Sequence, residues 1–548
     1  MKPQNIFLSP LLLTSANALT LPDDAHLALR SDGQNSSAPS NKSSIQWTEC
    51  DLDFGEAGNA LVDALPEKLQ CARLEVPLDY TSLSSGETIQ LQLIKASANK
   101  EPYLGSMMWN PGGPGGSGVE SVARLGLKLR DIVGGNYDII GFDPRGTGKT
   151  IPYICNVTSA GQTSVTRRDF ETLPKGDIWN SIKTIDWEGW AVTADACFRD
   201  QAKYGRFVGT PFVARDMISI ADALDQGPKV NYWGVSYGTV LGQVFASMFP
   251  DRVGRLVLDS NLIADDYADT TWKTGQRDTE RALHHLFDEC VKAGPEACVL
   301  ANFTGSDTTG DSLMAALETL LEEQINDKND TTNEKDDIVS LFKMSLLAEL
   351  YKPLQYPLAV SRVHAALTGN WTGAITPAPP QLPSEWNEGG TFSVWGIACA
   401  DSSFRVENVD DLYSIYRTHW EGSSFGDASA RLRLQCSRWR FDAAEKIDLN
   451  ALRNVRTSFP VLIINGHWDP ATPENTAWEI SARFRNSRAV IHYGVGHGYT
   501  NHPSKCVDNI VREYFQDGKM PEIGTTCEPD MTAFEYVAAE AKKAEESE

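Results

Sequence analysis

The chain has 548 residues, 49 Lys plus Arg against 73 Asp plus Glu, a net charge of -24 and 41% hydrophobic residues. This length exceeds the ~250–300 residues at which one core usually stops growing, so a large domain with a second unit is expected, and the apolar content excludes wholesale disorder. The acidic balance repels phosphate backbones and anionic lipid, which argues against nucleic acid as a partner.

At the N-terminus, Lys2, an apolar run from Ile6 to Leu13 and the small-residue site Ala16-Asn17-Ala18 read as a signal peptide over 1–18. That run is too short to span a bilayer, and no later stretch offers 18 uninterrupted apolar residues. Residues 19–44 are rich in Ser, Asn and Asp and read as a flexible arm. An even count of ten cysteines behind a signal peptide predicts disulfides. Pairing in chain order, such as Cys50 with Cys71 and Cys290 with Cys298, keeps each loop local, although spacing alone leaves the connectivity open. Sequons at Asn35, Asn41, Asn156, Asn302, Asn329 and Asn370 predict N-glycans and agree with secretion. Nothing in the sequence sets an oligomeric state.

From Cys71 onward strand-like and helical segments alternate. The apolar strands are Ser106–Trp109, Tyr137–Phe142, Val230–Trp233, Arg255–Leu258, Pro460–Asn465 and Ala489–Tyr493. Alternation of this kind predicts an α/β fold with a mostly parallel sheet and flanking helices. It stops after Asp259 and resumes at Phe459, with helical patterns at Thr279–Ala293, Ser312–Glu323 and Asp337–Leu350 between. The expected organisation is therefore a first core part over 45–259, a mainly helical lid over 260–458, a second core part over 459–530 and an acidic tail over 531–548. Inside the lid, the Pro-rich segment 376–383 reads as a stiff loop.

Gly234-Val235-Ser236-Tyr237-Gly238 fits the nucleophile-elbow pattern, in which small flanking residues permit a strained strand-to-helix turn that exposes a serine hydroxyl. Chance alone supplies such a match in roughly one chain of five at this glycine content, so context must decide. Gly422-Ser423-Ser424-Phe425-Gly426 also matches but lacks a preceding strand, and Ser424 is set aside as coincidence. Ser236 follows the strand Val230–Trp233 and precedes an apolar stripe at helical spacing, from Val240 to Met248.

A serine hydroxyl needs a base and an acid that orients the base, expected here in the order Ser, Asp, His. Asp469 lies four residues past Pro460–Asn465, where a loop aims its carboxylate across the C-terminal edge of the sheet. Glu474 is the nearest substitute. His497, in Gly494-Val495-Gly496-His497-Gly498, is the general base, with His467 and His502 as rivals in adjacent loops and His492 inside the strand. The glycine-rich run Asn110–Gly118 follows the Ser106–Trp109 strand and supplies amides for an oxyanion hole, assigned to Gly113 and Tyr237. That run lacks the Lys and the GxGxxG spacing of a phosphate-binding loop, and Asp143–Gly148 reads as a structural turn. The cysteines show no zinc spacing, and this chemistry needs no metal or organic cofactor.

Taken together, Asn110–Gly118, Asp143–Gly148, Gly234–Gly238, Gly466–Pro473 and Gly496-His497-Gly498 resemble the secreted tripeptidyl aminopeptidase branch of the α/β-hydrolases, related to the prolyl aminopeptidases. The Pro111-Gly112-Gly113-Pro114-Gly115 segment is similar to that group's His-Gly-Gly-Pro-Gly oxyanion signature, with Pro111 where His often stands. Asp469-Pro470-Ala471-Thr472-Pro473 is similar to the Asp-x-x-Thr-Pro segment of the family's C-terminal region, which favours Asp469 over Glu474. The resemblance implies an α/β-hydrolase fold and cleavage near a peptide N-terminus, where a carboxylate pairs with the substrate ammonium. Asp401 and Glu120 are the candidates for that carboxylate. The alternative is a carboxylesterase or other acyl hydrolase, with Trp371, Trp386, Trp395 and Trp420 either lining an acyl pocket or forming lid core. A third reading, a binding protein on the same scaffold, conflicts with retention of Ser236, Asp469, His497 and the glycine loop.

Overall fold

The computed structural model describes residues 45–157, 173–269, 272–326, 334–376 and 385–547. The proposed signal peptide, the arm at 19–44, most of the Pro-rich loop and the sequons at Asn35, Asn41 and Asn329 lie outside the described residues.

Ten strands form one sheet. They are β1 (Thr48–Glu49), β2 (Gln70–Pro77), β3 (Thr88–Ala96), β4 (Gly105–Asn110), β5 (Tyr137–Phe142), β6 (Val230–Ser236), β7 (Val253–Asn261), β8 (Val461–Trp468), β9 (Arg488–Val495) and β10 (Thr526–Cys527). Their spatial order is β1-β2-β3-β5-β4-β6-β7-β8-β9-β10. Pairing is antiparallel from β1 through β3 to β5 and parallel from β5 onward. The six strands expected from continuous apolar runs are all present, and five run longer than the pattern showed.

Successive side chains of a strand point to opposite faces, so a sheet covered by helices on both sides should sort its residues by parity. It does. Met108, Ile140, Tyr232, Leu256, Leu258, Ile463 and Ile491 enter one apolar cluster. Their neighbours Met107, Ile139, Trp233, Val257, Leu462, Ile464 and Val490 enter the other. This two-sided burial is what continuous apolar strands require, and it makes the sheet a rigid platform for whatever its C-terminal edge carries.

Between β7 and β8 the chain leaves the sheet as a series of helices, among them Thr279–Ala293, Gly310–Ile325, Glu334–Leu350, Tyr356–Leu367, Gly390–Asp401, Tyr413–Gly422 and Gly426–Arg433. Leu283, Leu286, Leu317, Phe342, Leu346 and Val363 give this insertion a core of its own. The C-terminal segment is not a free tail throughout. Helix Ala533–Ser547 buries Ala533 and Phe534 in that core, and the Ala533 amide donates to Glu289 at 2.7 Å.

The four tryptophans weighed as pocket lining pack as core. Trp386 donates to Asp143 at 2.7 Å, Trp420 donates to the Gly176 carbonyl, Trp395 joins the cluster over the sheet, and Trp371 meets Phe342 edge-on. The turn after β5 is structural as expected: Arg145 is fully buried, paired with Asp216 at 2.7 Å and bonded to the carbonyls of Pro77 and Leu78. Five disulfides close in chain order: Cys50–Cys71, Cys155–Cys197, Cys290–Cys298, Cys399–Cys436 and Cys506–Cys527. The described sequon residues Asn156, Asn302 and Asn370 are exposed.

Candidate active site

Ser236 ends β6 and immediately precedes helix Tyr237–Met248, with φ 58° and ψ -123°. A β-carbon-bearing residue at positive φ is strained, and the turn survives because its neighbours leave room. A Cβ added to Gly234 would fall 2.3 Å from the Gly238 carbonyl oxygen, so the tight crossing of the elbow explains the glycine. Tyr232 ties the turn from below, its hydroxyl donating to the Gly238 carbonyl at 2.8 Å.

The glycine loop after β4 runs beside the serine. A Cβ on Gly112, at φ 95°, would lie 2.8 Å from Ser236 Cβ and 3.2 Å from the Tyr237 nitrogen, so only glycine brings the main chain this close. The Gly112 amide donates to Asn110 Oδ1 at 2.9 Å, while the Gly113 amide has no partner among the described residues. Behind the loop, Ser117 caps helix Gly118–Ile132 and donates to Asp143, a buried carboxyl pushed up to about 6 by burial. From the insertion, Asn387 donates to the Gly115 carbonyl at 2.9 Å, bracing the loop from the outside.

Asp469 follows β8 directly. The strand runs to Trp468 with a register shift after Gly466, so the acid sits at the strand end and not four residues beyond it. Its carboxylate is 1% exposed and accepts from the amides of Ala471 and Thr472 and from the Thr472 hydroxyl at 2.7 Å. Buried Asn465 holds this loop by donating to the Thr472 carbonyl. His497, on the loop after β9, places Nδ1 at 3.0 and 2.9 Å from the two Asp469 oxygens. Burial by itself would raise the Asp469 pKa, but the His497 charge and these hydrogen bonds outweigh it and hold it below the usual range. For His497, burial lowers the pKa, and Asp469 followed by Asp259 reverses this, leaving it raised.

His497 Nε2 is buried with no hydrogen-bond partner among the described residues. No hydrogen bond joins it to Ser236 Oγ in this structure, a distance that often closes only with substrate in place. The two loops are nevertheless in contact. A Cβ on Gly498 would stand 3.2 Å from Val235 Cγ1, and the Gly498 amide donates to Ser260 Oγ at 2.7 Å.

The rival histidines are otherwise engaged. His467 Nδ1 pairs with Glu474 at 2.6 Å, which also accounts for the substitute acid. His502 Nδ1 accepts from the Val495 amide and Nε2 faces the Met531 carbonyl, while burial drives His492 down to about 3. Ser424 follows the end of helix Tyr413–Gly422, with no strand before it.

Of the two carboxylates considered for a substrate ammonium, Asp401 is 3% exposed and its oxygens are taken by the protein. It accepts from the Thr210 amide at 2.7 Å, the Thr210 hydroxyl at 2.6 Å and the Tyr267 hydroxyl at 2.9 Å. Burial raises it to about 6, and the Thr210 hydroxyl also bonds Tyr237, the residue after the nucleophile. This is a clamp beneath the elbow, so in this structure the candidate carboxylate is already bonded by the protein. Glu120 lies in the first turn of helix Gly118–Ile132 and pairs with Arg124 at 2.5 Å.

Sequence reasoning missed two groups beside His497 and a third next to one of them. Asp259, at the end of β7, is fully buried and pushed up to about 7 by burial while facing His497. Tyr351, from the insertion, lies edge-on to the His497 ring at 4.9 Å, and its carbonyl accepts the His497 amide at 2.9 Å. Arg433, at the end of helix Gly426–Arg433, is in electrostatic reach of Tyr351. A carboxylate at the C-terminal end of an apolar strand was the available signal for Asp259. Tyr351 and Arg433 carried none. Among the described residues no His/Cys/Asp/Glu group is arranged to hold a metal.

Two family models match the chain: residues 106–294 match the alpha/beta hydrolase fold and residues 422–527 the TAP-like protein model. A tripeptidyl aminopeptidase of Streptomyces lividans is 27% identical over 524 residues, covering 90% of this chain and 88% of the relative. The serine protease Hip1 of Mycobacterium bovis is 24% identical over 497 residues, covering 88% and 91%. Carboxylesterase B of Mycobacterium tuberculosis is 24% identical over 518 residues, covering 91% and 92%. With its elbow, glycine loop and Asp–His pair at one edge of a mostly parallel sheet, the chain is a serine hydrolase of the α/β-hydrolase fold, similar along most of its length to tripeptidyl aminopeptidases.

Proposed function

We propose that the protein is an exopeptidase that releases short peptides or amino acids from peptide N-termini through an acyl-enzyme on Ser236. The observation that carries this reading is the strained serine elbow beside a buried Asp469–His497 pair in a chain that aligns along most of its length with a tripeptidyl aminopeptidase. In the reaction, Ser236 Oγ attacks the scissile carbonyl carbon and gives its proton to His497 Nε2. Asp469 accepts the Nδ1 proton's hydrogen bond and stabilises the imidazolium. The amides of Gly113 and Tyr237 receive the oxyanion, each such donor being worth ~10²–10³ in rate. Collapse expels the amine with the proton from His497, and water activated by the same imidazole then releases the acyl group.

A carboxylesterase reading is kept because a carboxylesterase is among the relatives and the same attack cleaves esters. Labelling by a fluorophosphonate probe, then turnover of tripeptidyl-, aminoacyl- and p-nitrophenyl-ester substrates, separates the two. Peptide turnover well above ester turnover is expected. Ser236→Ala should abolish labelling, and His497→Ala should cost at least about 10³-fold in kcat with the fold retained. A labelled enzyme that cleaves only esters would hand the assignment to the alternative. Five disulfides point to an oxidising compartment, and with the N-terminal segment and exposed sequons they support export and glycosylation.

A further inference from the structure

Arg433 is a half-buried cation that differs from the paired arginines around it. Two residues earlier, Arg431 bonds Asp186 and Asp337, both at 2.7 Å, and Arg145 and Arg362 each grip a buried carboxylate. Arg433 forms no hydrogen bond and no ion pair among the described residues, and its Nε is buried without a partner. The guanidinium lies 3.7 Å from the centre of the Trp272 ring, which offsets part of its desolvation but offers no acceptor to its N–H groups. The nearby carboxylate, Asp266, already accepts from the amides of Lys273 and Thr274 and from the Thr274 hydroxyl. Desolvation pulls the Arg433 pKa down to about 10, so the cation persists at neutral pH, with Asp266 in electrostatic reach but with no acceptor bonded to it among the described residues.

Its position is as informative as its lack of partners. Tyr237, next to the nucleophile, packs on Tyr267 at 5.4 Å, Tyr267 stacks on Trp272 at 5.3 Å, and Trp272 carries Arg433. From the other side, His497 touches Tyr351, and Tyr351 lies within electrostatic reach of Arg433. Two chains of contact, one from the serine and one from the imidazole, thus meet at this guanidinium. The Tyr351 hydroxyl likewise has no hydrogen-bond partner among the described residues, and both side chains are partly exposed, so a ligand can reach them.

We propose that Arg433, assisted by the Tyr351 hydroxyl, forms a subsite for a carboxylate of the substrate. A planar fork of N–H donors beside a phenol suits bidentate carboxylate recognition and completes the pairing the protein leaves open. The carboxylate has two sources, an acidic side chain or the free C-terminus of a short peptide. The subsite deepens the serine-hydrolase reading and rests on it.

The test compares kcat/KM on two matched substrate pairs, a short peptide acid against its C-terminal amide and a Glu-containing peptide against its Gln counterpart. One pair should favour the carboxylate by about 10–100-fold, and which pair does so identifies the source. Arg433→Met should bring the members of that pair level, and Arg433→Lys should restore part of the preference. Fluorophosphonate labelling of Ser236 is followed in every variant. A labelled wild-type enzyme without either preference, or a preference that survives in Arg433→Met, overturns the subsite. The wild-type comparison decides even where Arg433→Met fails to fold. Absence of labelling in the wild type instead overturns the serine-hydrolase reading, and the subsite with it.

Discussion

In the proposed mechanism His497 is the general base, which acts only when neutral, so its raised pKa sets where activity begins. The acid limb of kcat/KM should have its midpoint above the ordinary imidazole value of ~6.5. Asp469 faces His497 from the loop after β8, Asp259 from the end of β7 and Tyr351 from the insertion. Because Asp259 adds to the upward shift, Asp259→Asn should move that limb down in a pH profile of kcat/KM, and an unmoved limb would remove Asp259 from the account. The same pair bears on stability. His497, raised on folding, contributes fully below ~6.5 and loses its contribution as pH rises through its folded value. Asp469, lowered on folding, contributes fully above ~3.9 and loses its contribution as pH falls through its folded value. Their joint contribution is therefore largest between those two limits. The proposed triad was legible because each member stands in a local pattern: Ser236 in an elbow, Asp469 and His497 just past apolar strands. Tyr351 and Arg433 were not, because the contact of Tyr351 with His497 and the approach of Arg433 to Tyr351 arise from packing between segments far apart in sequence.

At the scale of elements, continuous apolar runs exposed the strands that the sheet buries on both faces. The strands β2 and β3 escaped because they are edgeward and alternate: Leu74 and Val76 face inward while Arg73 and Glu75 face outward, and Ile89 and Leu91 alternate with Gln90. A period of two is the signature of a half-covered strand, and it was present in the sequence without being named. Helices of the insertion were legible by their period, but what they hold was not. Helix Gly390–Asp401 ends on Asp401, which clamps Thr210 and Tyr267 below the elbow. Asp401→Ala leaves those buried donors unsatisfied and should cost about 2–3 kcal/mol in chemical denaturation. A preference for free over acetylated N-termini should persist in that variant. Loss of the preference without loss of stability would support Asp401 as an ammonium site instead.

Across the whole molecule, alternation of strand and helix revealed a parallel sheet and the place where it is interrupted, whereas strand order depends on crossovers that leave no local trace. All five disulfides are local in sequence, which is why pairing in chain order anticipated them. Their contributions should differ with the loop each closes. Removing Cys155–Cys197, 42 residues apart, should cost about 1.5 kcal/mol more than removing Cys290–Cys298, 8 apart, on the chain-entropy account. Double Cys→Ala variants compared by urea unfolding check this, and equal losses would point to strain or residual denatured structure instead.

The amide of His497 donates to the carbonyl of Tyr351, so the proposed base is held partly by the insertion. Scaffold and cover are for that reason not interchangeable parts. A chimaera that takes this insertion from another hydrolase must also bring a main-chain acceptor to the same spot, or the imidazole loses one of its moorings.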